Sequence, residues 1–266
     1  TYLNKTNSAN DSMPHIAKKF MQYERGRLYN EGPVVFLPGS WDKFIFTGNT
    51  YFDINNVNVK NKKEINTLKL FFAEKDTTGN WKVNKINFTG ENAFLLNSDD
   101  FSVGHPSLSP DGSKIYFSSD APIPQSYGNS DLYVADFNMS TQTCTNTINL
   151  GIIINTRGNE VFPFFQLDED ENNILYFSSN KPEGLGGLDI YKSSYENNNW
   201  KEPLALNNEE DTINSINSDK DDFGFVVNKT GNFGYFSSDR DSTDDIFMFR
   251  TLKIQIDVCD LKTQQP

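Results

Sequence analysis

Cysteine is scarce in this chain. The 266 residues hold two, Cys144 and Cys259. A small disulfide-stapled scaffold is therefore excluded; one long-range bridge and two unpaired thiols both remain open. Histidine is as scarce, with His15 and His105 alone, and no His/Cys cluster has zinc spacing. Long apolar runs are missing, so no segment reaches the roughly 18 residues of a membrane helix. Positive charge is in deficit: 24 basic against 36 acidic side chains leave a net charge of -12. That excludes a phosphate-binding surface for nucleic acid, which needs clustered Lys and Arg. No Gly-x-Ser-x-Gly nucleophile elbow is present. Gly184-Leu185-Gly186-Gly187 lacks the Lys-Ser/Thr of a phosphate loop and reads as a turn before a strand. No cofactor or metal is called for.

What the chain has in excess is aromatic residues and asparagine. Aromatics make up 14%, with 22 Phe and 11 Tyr, and about one residue in eight is Asn. Disordered chains are poor in aromatics, so this one folds. Phe and Tyr favour strands, and Asn favours turns and left-handed backbone. The combination predicts many short strands joined by many turns.

Three motifs recur in one order, four times. An aromatic-Phe-Ser-Ser run stands at Tyr116-Phe117-Ser118-Ser119-Asp120, Tyr176-Phe177-Ser178-Ser179-Asn180 and Tyr235-Phe236-Ser237-Ser238-Asp239, with a looser copy at Ile45-Phe46-Thr47-Gly48-Asn49. Each is followed by an apolar run: Leu70-Phe71-Phe72-Ala73, Leu132-Tyr133-Val134-Ala135, Ile190-Tyr191-Lys192-Ser193 and Ile246-Phe247-Met248-Phe249. Each is preceded by Glu31-Gly32-Pro33, Gly104-His105-Pro106, Glu160-Val161-Phe162-Pro163 or Asp221-Asp222-Phe223-Gly224. Each unit reads as a four-stranded antiparallel meander. Strand one follows the Pro or Gly, and strand four opens with Trp81 or Trp200 in two of the units. Such units arranged radially make an all-β fold, a β-propeller of four-stranded antiparallel blades, with four blades visible.

The blades are expected at about residues 30–90, 102–150, 159–206 and 221–250. Residues 1–29 are expected to be the remnant of an earlier blade or a helix. The period-two alternation of Leu252, Ile254, Ile256 and Val258 reads as the opening strand of a further domain over 251–266.

In a meander, the loop entering strand one and the loop joining strands two and three share a face. That face should gather Glu31, His105, Glu160, Asp221 and Asp222 from one loop set. It should gather Asp120, Asn180, Asp239 and Arg240 from the other. One reading makes them a channel rim able to receive a basic segment. The other makes them turn-forming groups that bond the backbone and join blade to blade. For His105, a packing or turn role is expected, since a general base needs partners that the sequence does not supply. Asp168-Glu169-Asp170-Glu171-Asn172 alternates oxygens as a calcium loop does, but Asn173 and Ser179 stand where that loop needs Gly and Glu. It reads as a solvated hairpin turn.

The run from His105 to Gly112 together with Tyr116-Phe117-Ser118-Ser119-Asp120 resembles the PD40, or WD40-like, propeller repeat. Gly186-Gly187-Leu188-Asp189-Ile190-Tyr191, with Ile154 to Glu160 before it and Asp221 to Arg240 after it, looks like the propeller of Bacteroidota OmpA-family envelope proteins of the PorE type. That resemblance implies a periplasmic, outer-membrane-associated protein. Its role would be a non-enzymatic scaffold in type IX secretion or gliding, with residues 251–266 opening a carboxypeptidase-regulatory-like β-sandwich. The implied partners are an outer-membrane barrel of the PorP/SprF type or a secretion subunit, and peptidoglycan only through domains not in this chain. A TolB-like peptide-recognition module is the alternative, and a propeller hydrolase or lyase the third.

Overall fold

A computed structural model describes residues 31–49, 67–207 and 215–251, together with a short antiparallel pair, β1 (Tyr2–Leu3) and β2 (Lys18–Lys19). Four small antiparallel sheets are arranged as a four-blade β-propeller. Blade I is β3 (Glu31–Phe36), β4 (Lys43–Asn49), β5 (Leu68–Lys75) and β6 (Trp81–Lys85). A link with β7 (Asn87–Phe88) and the one-turn helix α1 (Ala93–Asn97) leads to blade II. This is β8 (Val103–Leu108), β9 (Lys114–Ser119), β10 (Asp131–Asn138) and β11 (Thr143–Asn149), with β7 added in parallel to β11. Blade III is β12 (Glu160–Leu167), β13 (Asn173–Ser179) and β14 (Asp189–Glu196), with its outer strand split into β15 (Asn199–Trp200) and β16 (Leu204–Ala205). Blade IV has three described strands, β17 (Asp222–Val227), β18 (Phe233–Ser238) and β19 (Asp245–Arg250). The expectation of four strands per unit thus holds in blades I and II, is met by a broken strand in III, and is not met among the described residues of IV.

Blades I and II, II and III, and III and IV pack face to face, so the middle strands of blades II and III are buried on both sides. This is why Ile115 to Ser119 and Ile174 to Ser179 read as unbroken runs rather than as alternation. Phe117 and Tyr133 fill the gap between blades I and II with Phe72 and Ile45. Phe177, Tyr191 and Leu175 meet Tyr116 and Leu132 between II and III, and Tyr176 and Ile190 meet Phe225 and Phe236 between III and IV. Each such ring contributes about 1.5–3 kcal/mol through burial.

The innermost strand of every blade carries the same β-bulge. Register slips between Glu31 and Val34, Gly104 and Ser107, Val161 and Phe164, and Phe223 and Val226. The Gly and Pro signals therefore lie inside these strands, at the bulge, and not before them as the sequence suggested. An extra residue at a bulge is turned out of the ladder and re-aims its side chain.

The seams between blades are stapled by repeated groups. The N–H groups of Glu160 and Asp222 donate to the carbonyls of Ser130 (2.7 Å) and Leu188 (2.6 Å) in the preceding blade. Asn155 and Asn217 each pair an amide with a strand backbone as another strand would. Leu132 N–H donates to Asn155 Oδ1 at 2.8 Å and Ile190 N–H to Asn217 Oδ1 at 2.7 Å, while the two amide NH2 groups return bonds to the same residues' carbonyls. A Cβ on Gly186 would lie 2.1 Å from the Lys220 carbonyl oxygen, so the blade III loop touches the linker to blade IV at a distance open to glycine alone.

Candidate functional site

The two loop sets do come together, and their contacts repeat. Asp120 Oδ1 accepts from Ser102 N–H (2.6 Å), Asn180 Oδ1 from Asn159 N–H (2.7 Å) and Asp239 Oδ1 from Asp221 N–H (2.8 Å). Asp221 Oδ1 accepts from Leu188 N–H at 2.7 Å. Glu160 and Asp222 are fully buried, at 0% exposure, and so do not form a rim. Glu160 accepts from Thr156 N–H (2.8 Å), Thr156 Oγ1 (2.6 Å) and Ser179 Oγ (2.7 Å). Burial still lifts its carboxyl above the usual carboxylate range, against the pull of those donors. Asp222 accepts from Ser218 N–H and hydroxyl and from Arg240 Nη2. Arg240 is spent as well: it bonds the Ser215 and Ile216 carbonyls and lies over the Phe236 and Phe247 rings. Glu31 begins β3 opposite Gly48, and its side chain lies outside the described set. Asp131 and Asp189 take the same clamping role two strands on, each accepting from two loop N–H groups three and four residues earlier.

His105 is the exception among the sequence-chosen residues. It is the bulge residue of β8, at φ 56°, and the equivalent bulge residues are Phe162 at φ 52° and Gly224 at φ 65°. Its ring stacks on Phe162 at 4.0 Å, and Phe162 lies 5.0 Å from Phe223; His105 and Phe162 both line the space enclosed by the four inner strands. Nδ1 of His105 shares a 2.7 Å hydrogen bond with Ser118 Oγ. Desolvation pushes this imidazole down to about 4, so it is neutral at physiological pH. The packing role expected for His105 is thus joined by a place on the channel wall.

A second concavity was not singled out in the sequence. It is a cleft of about 530 Å³ between blades II and III, reaching the hairpins that join β8 to β9 and β12 to β13. Its floor includes Tyr116 and Phe165, stacked at 4.5 Å and nearly parallel. One wall is Tyr195 and Trp200, edge to face at 5.0 Å. They meet because the β14–β15 turn has Asn197 and Asn198 at φ 52° and 64°, the paired positive φ of a tight hairpin turn. The other wall is Ile148, Ile152 and Ile153, which are 62%, 69% and 44% exposed. Asn173, Asn198 and Asn199 supply amides at the edge. Among the described lining residues Lys114 alone is charged, and it is paired to Asp136 at 2.5 Å. The Asn-Asn-Asn-Trp run at 197–200 was the available signal.

Asp168 accepts from the N–H groups of Asp170 and Asn172, closing the hairpin turn read from the sequence. Cys144 is a free, buried thiol lifted to about 12 by desolvation, and Cys259 lies outside the described residues. Among the described residues, no group of three or more His, Cys, Asp and Glu side chains could hold a metal ion.

No family model matches the chain, and no curated protein does. Solved structures do match. The endo-arabinase of Bacteroides thetaiotaomicron is 14% identical, with 80% of this chain and 72% of that one covered at a TM-score of 0.48. The α-L-arabinofuranosidase of Lactobacillus brevis is 12% identical, over 82% and 70%, at 0.50. A thermostable family-43 glycoside hydrolase is 14% identical, over 82% and 69%, at 0.44. One of these neighbours corrects two expectations, that of a non-enzymatic envelope scaffold and that of a chain without enzymatic activity: the propeller matched at a TM-score of 0.50 is an arabinofuranosidase, not a secretion or gliding component. At these identities the likeness itself shows the propeller fold and assigns no substrate.

Proposed function

We propose that this chain is a glycan-handling propeller, which seats a neutral oligosaccharide in the cleft between blades II and III. The lining of that cleft carries the reading. Sugar rings present apolar C–H faces and polar hydroxyl edges. A site for them combines aromatic surfaces with a few amide donors and acceptors. Tyr195 and Trp200 offer the first, and Asn173, Asn198 and Asn199 the second. The lone cation, Lys114, is neutralised by Asp136, which favours an uncharged sugar over an acidic one. One structural neighbour, an α-L-arabinofuranosidase, agrees in ligand class, but the argument rests on the lining. Glycoside cleavage needs two carboxyl groups flanking the bond, and none stands among the described lining residues, so the cleft itself is assigned binding.

The test is calorimetric titration with neutral arabino-, xylo-, gluco- and N-acetylglucosamine oligosaccharides, with the same mixtures followed for new reducing ends. At least one series is expected to bind, and Trp200→Ala to weaken it about tenfold, the loss of one ring contact. No binding across the panel, or full affinity in Trp200→Ala, would overturn the reading. The resemblance of the repeat motifs to envelope propellers supports a periplasmic setting. Release of the native protein by osmotic shock is the expected result, and retention with the cytoplasm counts against it.

A further inference from the structure

The channel wall formed by His105 and Phe162 faces a niche that the cleft reading does not use. Its volume is about 130 Å³. Opposite the two rings stand Pro33, Val34, Gly224 and Phe225, and Gly224 leaves open at its bulge the space that His105 and Phe162 fill at theirs. Among the described residues, no charged side chain lines the niche. The Ser107 hydroxyl is engaged by Phe165 N–H at 2.9 Å. His105 binds Ser118 through Nδ1, and its other ring nitrogen has no hydrogen-bond partner among the described residues.

Two features mark this as a built feature and not a leftover space. A bulky residue at positive φ is a genuine outlier. Here Phe162 and His105 both adopt it at positions where blade IV uses glycine. Such strain persists only where surrounding structure enforces it, and it concentrates at ligand clamps. The second feature is the unmet pair in blade III. Ser178 is the counterpart of Ser118 in register, and its hydroxyl has no hydrogen-bond partner among the described residues, because Phe162 stands where blade II has His105. Packing alone would be served by either residue in both blades. Blade II instead places a neutral hydrogen-bonding ring beside an apolar one.

We propose that this niche binds the single aromatic ring of a small uncharged molecule, a phenol-like ligand whose hydroxyl meets the free nitrogen of His105. The size agrees: an apolar cavity of roughly 150 Å³ takes up benzene. Offset stacking on Phe162 supplies the attraction, and the imidazole supplies the orientation. This inference is independent of the glycan reading, since it concerns another site and another ligand.

Ligand-observed NMR titration of the 266-residue chain with phenol and with benzene tests it. Both should saturate, and phenol should bind about fivefold tighter, the effect of one neutral hydrogen bond. His105→Phe keeps the ring wall and removes the hydrogen bond. It should hold benzene at unchanged affinity and lose the preference for phenol. Phe162→Gly should lose both ligands while its melting temperature stays level or rises, because the positive φ is relieved. The proposal is overturned if neither ring binds the parent protein, if Phe162→Gly binds as well as the parent, or if His105→Phe keeps the phenol preference. The His105→Phe arm stands even where Phe162→Gly unfolds.

Discussion

Asp222→Ala is expected to cost about 3–5 kcal/mol of stability, the loss typical of a buried ion pair with one partner removed. Asp222 is fully buried, and its carboxylate does three things. It accepts from the N–H and hydroxyl of Ser218 at 2.6 and 2.8 Å, closing the linker from blade III. It meets Arg240 Nη2 at 2.7 Å, and that side chain is itself only 19% exposed. The alanine variant leaves a guanidinium and a backbone donor without their acceptor inside the seam. Asp222→Asn keeps the shape and one acceptor, so it should fall between the two. Asp239→Ala, by contrast, removes a single bond to Asp221 N–H from a half-buried loop and should cost about 1 kcal/mol. Urea unfolding of the three variants checks the order. Asp222→Ala within 1 kcal/mol of the parent would return this residue to an exposed rim role.

This contrast shows how far the sequence could be read. Tyr116-Phe117-Ser118-Ser119 and its copies announced the buried middle strands, because face-to-face blades need unbroken apolar runs there and tight turns after them. The order of the three motifs then gave the blades. Burial of the acids was not readable. Glu160 and Asp222 look like loop-entry carboxylates in one dimension, and their consumption by the loops four residues before them is a property of the folded turn. A signal did exist. Ile154-Asn155-Thr156 stands six residues ahead of Glu160, just as Ile216-Asn217-Ser218 stands ahead of Asp222. That echo belongs to the linkers between blades. It carries the Asn that imitates a strand and the Thr or Ser that feeds the acid. The cleft was illegible for another reason: Tyr116 and Trp200 are far apart in sequence and meet only where two blades splay.

Blade I solves the linker problem with a different residue, and this yields the second large expected effect. In register, Lys69 opposite Gly48 takes the place of Leu132 opposite Ser118 and Ile190 opposite Ser178. Where blades II and III receive Asn155 and Asn217 from the following linker, blade I sends an ammonium into it. Lys69 is 2% exposed and donates to the carbonyls of Leu96 (3.1 Å), Phe101 (2.6 Å) and Ser98. Desolvation outweighs these acceptors, and nearby Lys85 adds to it, so the group is lowered from 10.5 to about 8. Below pH 8 both folded and unfolded chains carry the proton, and folding bears the whole cost of the buried charge. Between about 8 and 10.5 the unfolded chain holds a proton that the folded one has released, so stability rises with pH. Above pH 10 the buried tyrosines reverse the trend. Tyr133 and Tyr191 are lifted to about 12 by desolvation, so there the unfolded chain loses protons first. Lys69→Met removes the titrating group and leaves an apolar chain of similar reach. The stability of the parent relative to Lys69→Met should therefore climb by about 2 kcal/mol from pH 8 to pH 10. Denaturant unfolding at half-unit steps reads this directly. Parallel curves for the two proteins over that range would mean that the ammonium stays charged at its three carbonyls, and that blade I holds its linker by charge at every pH.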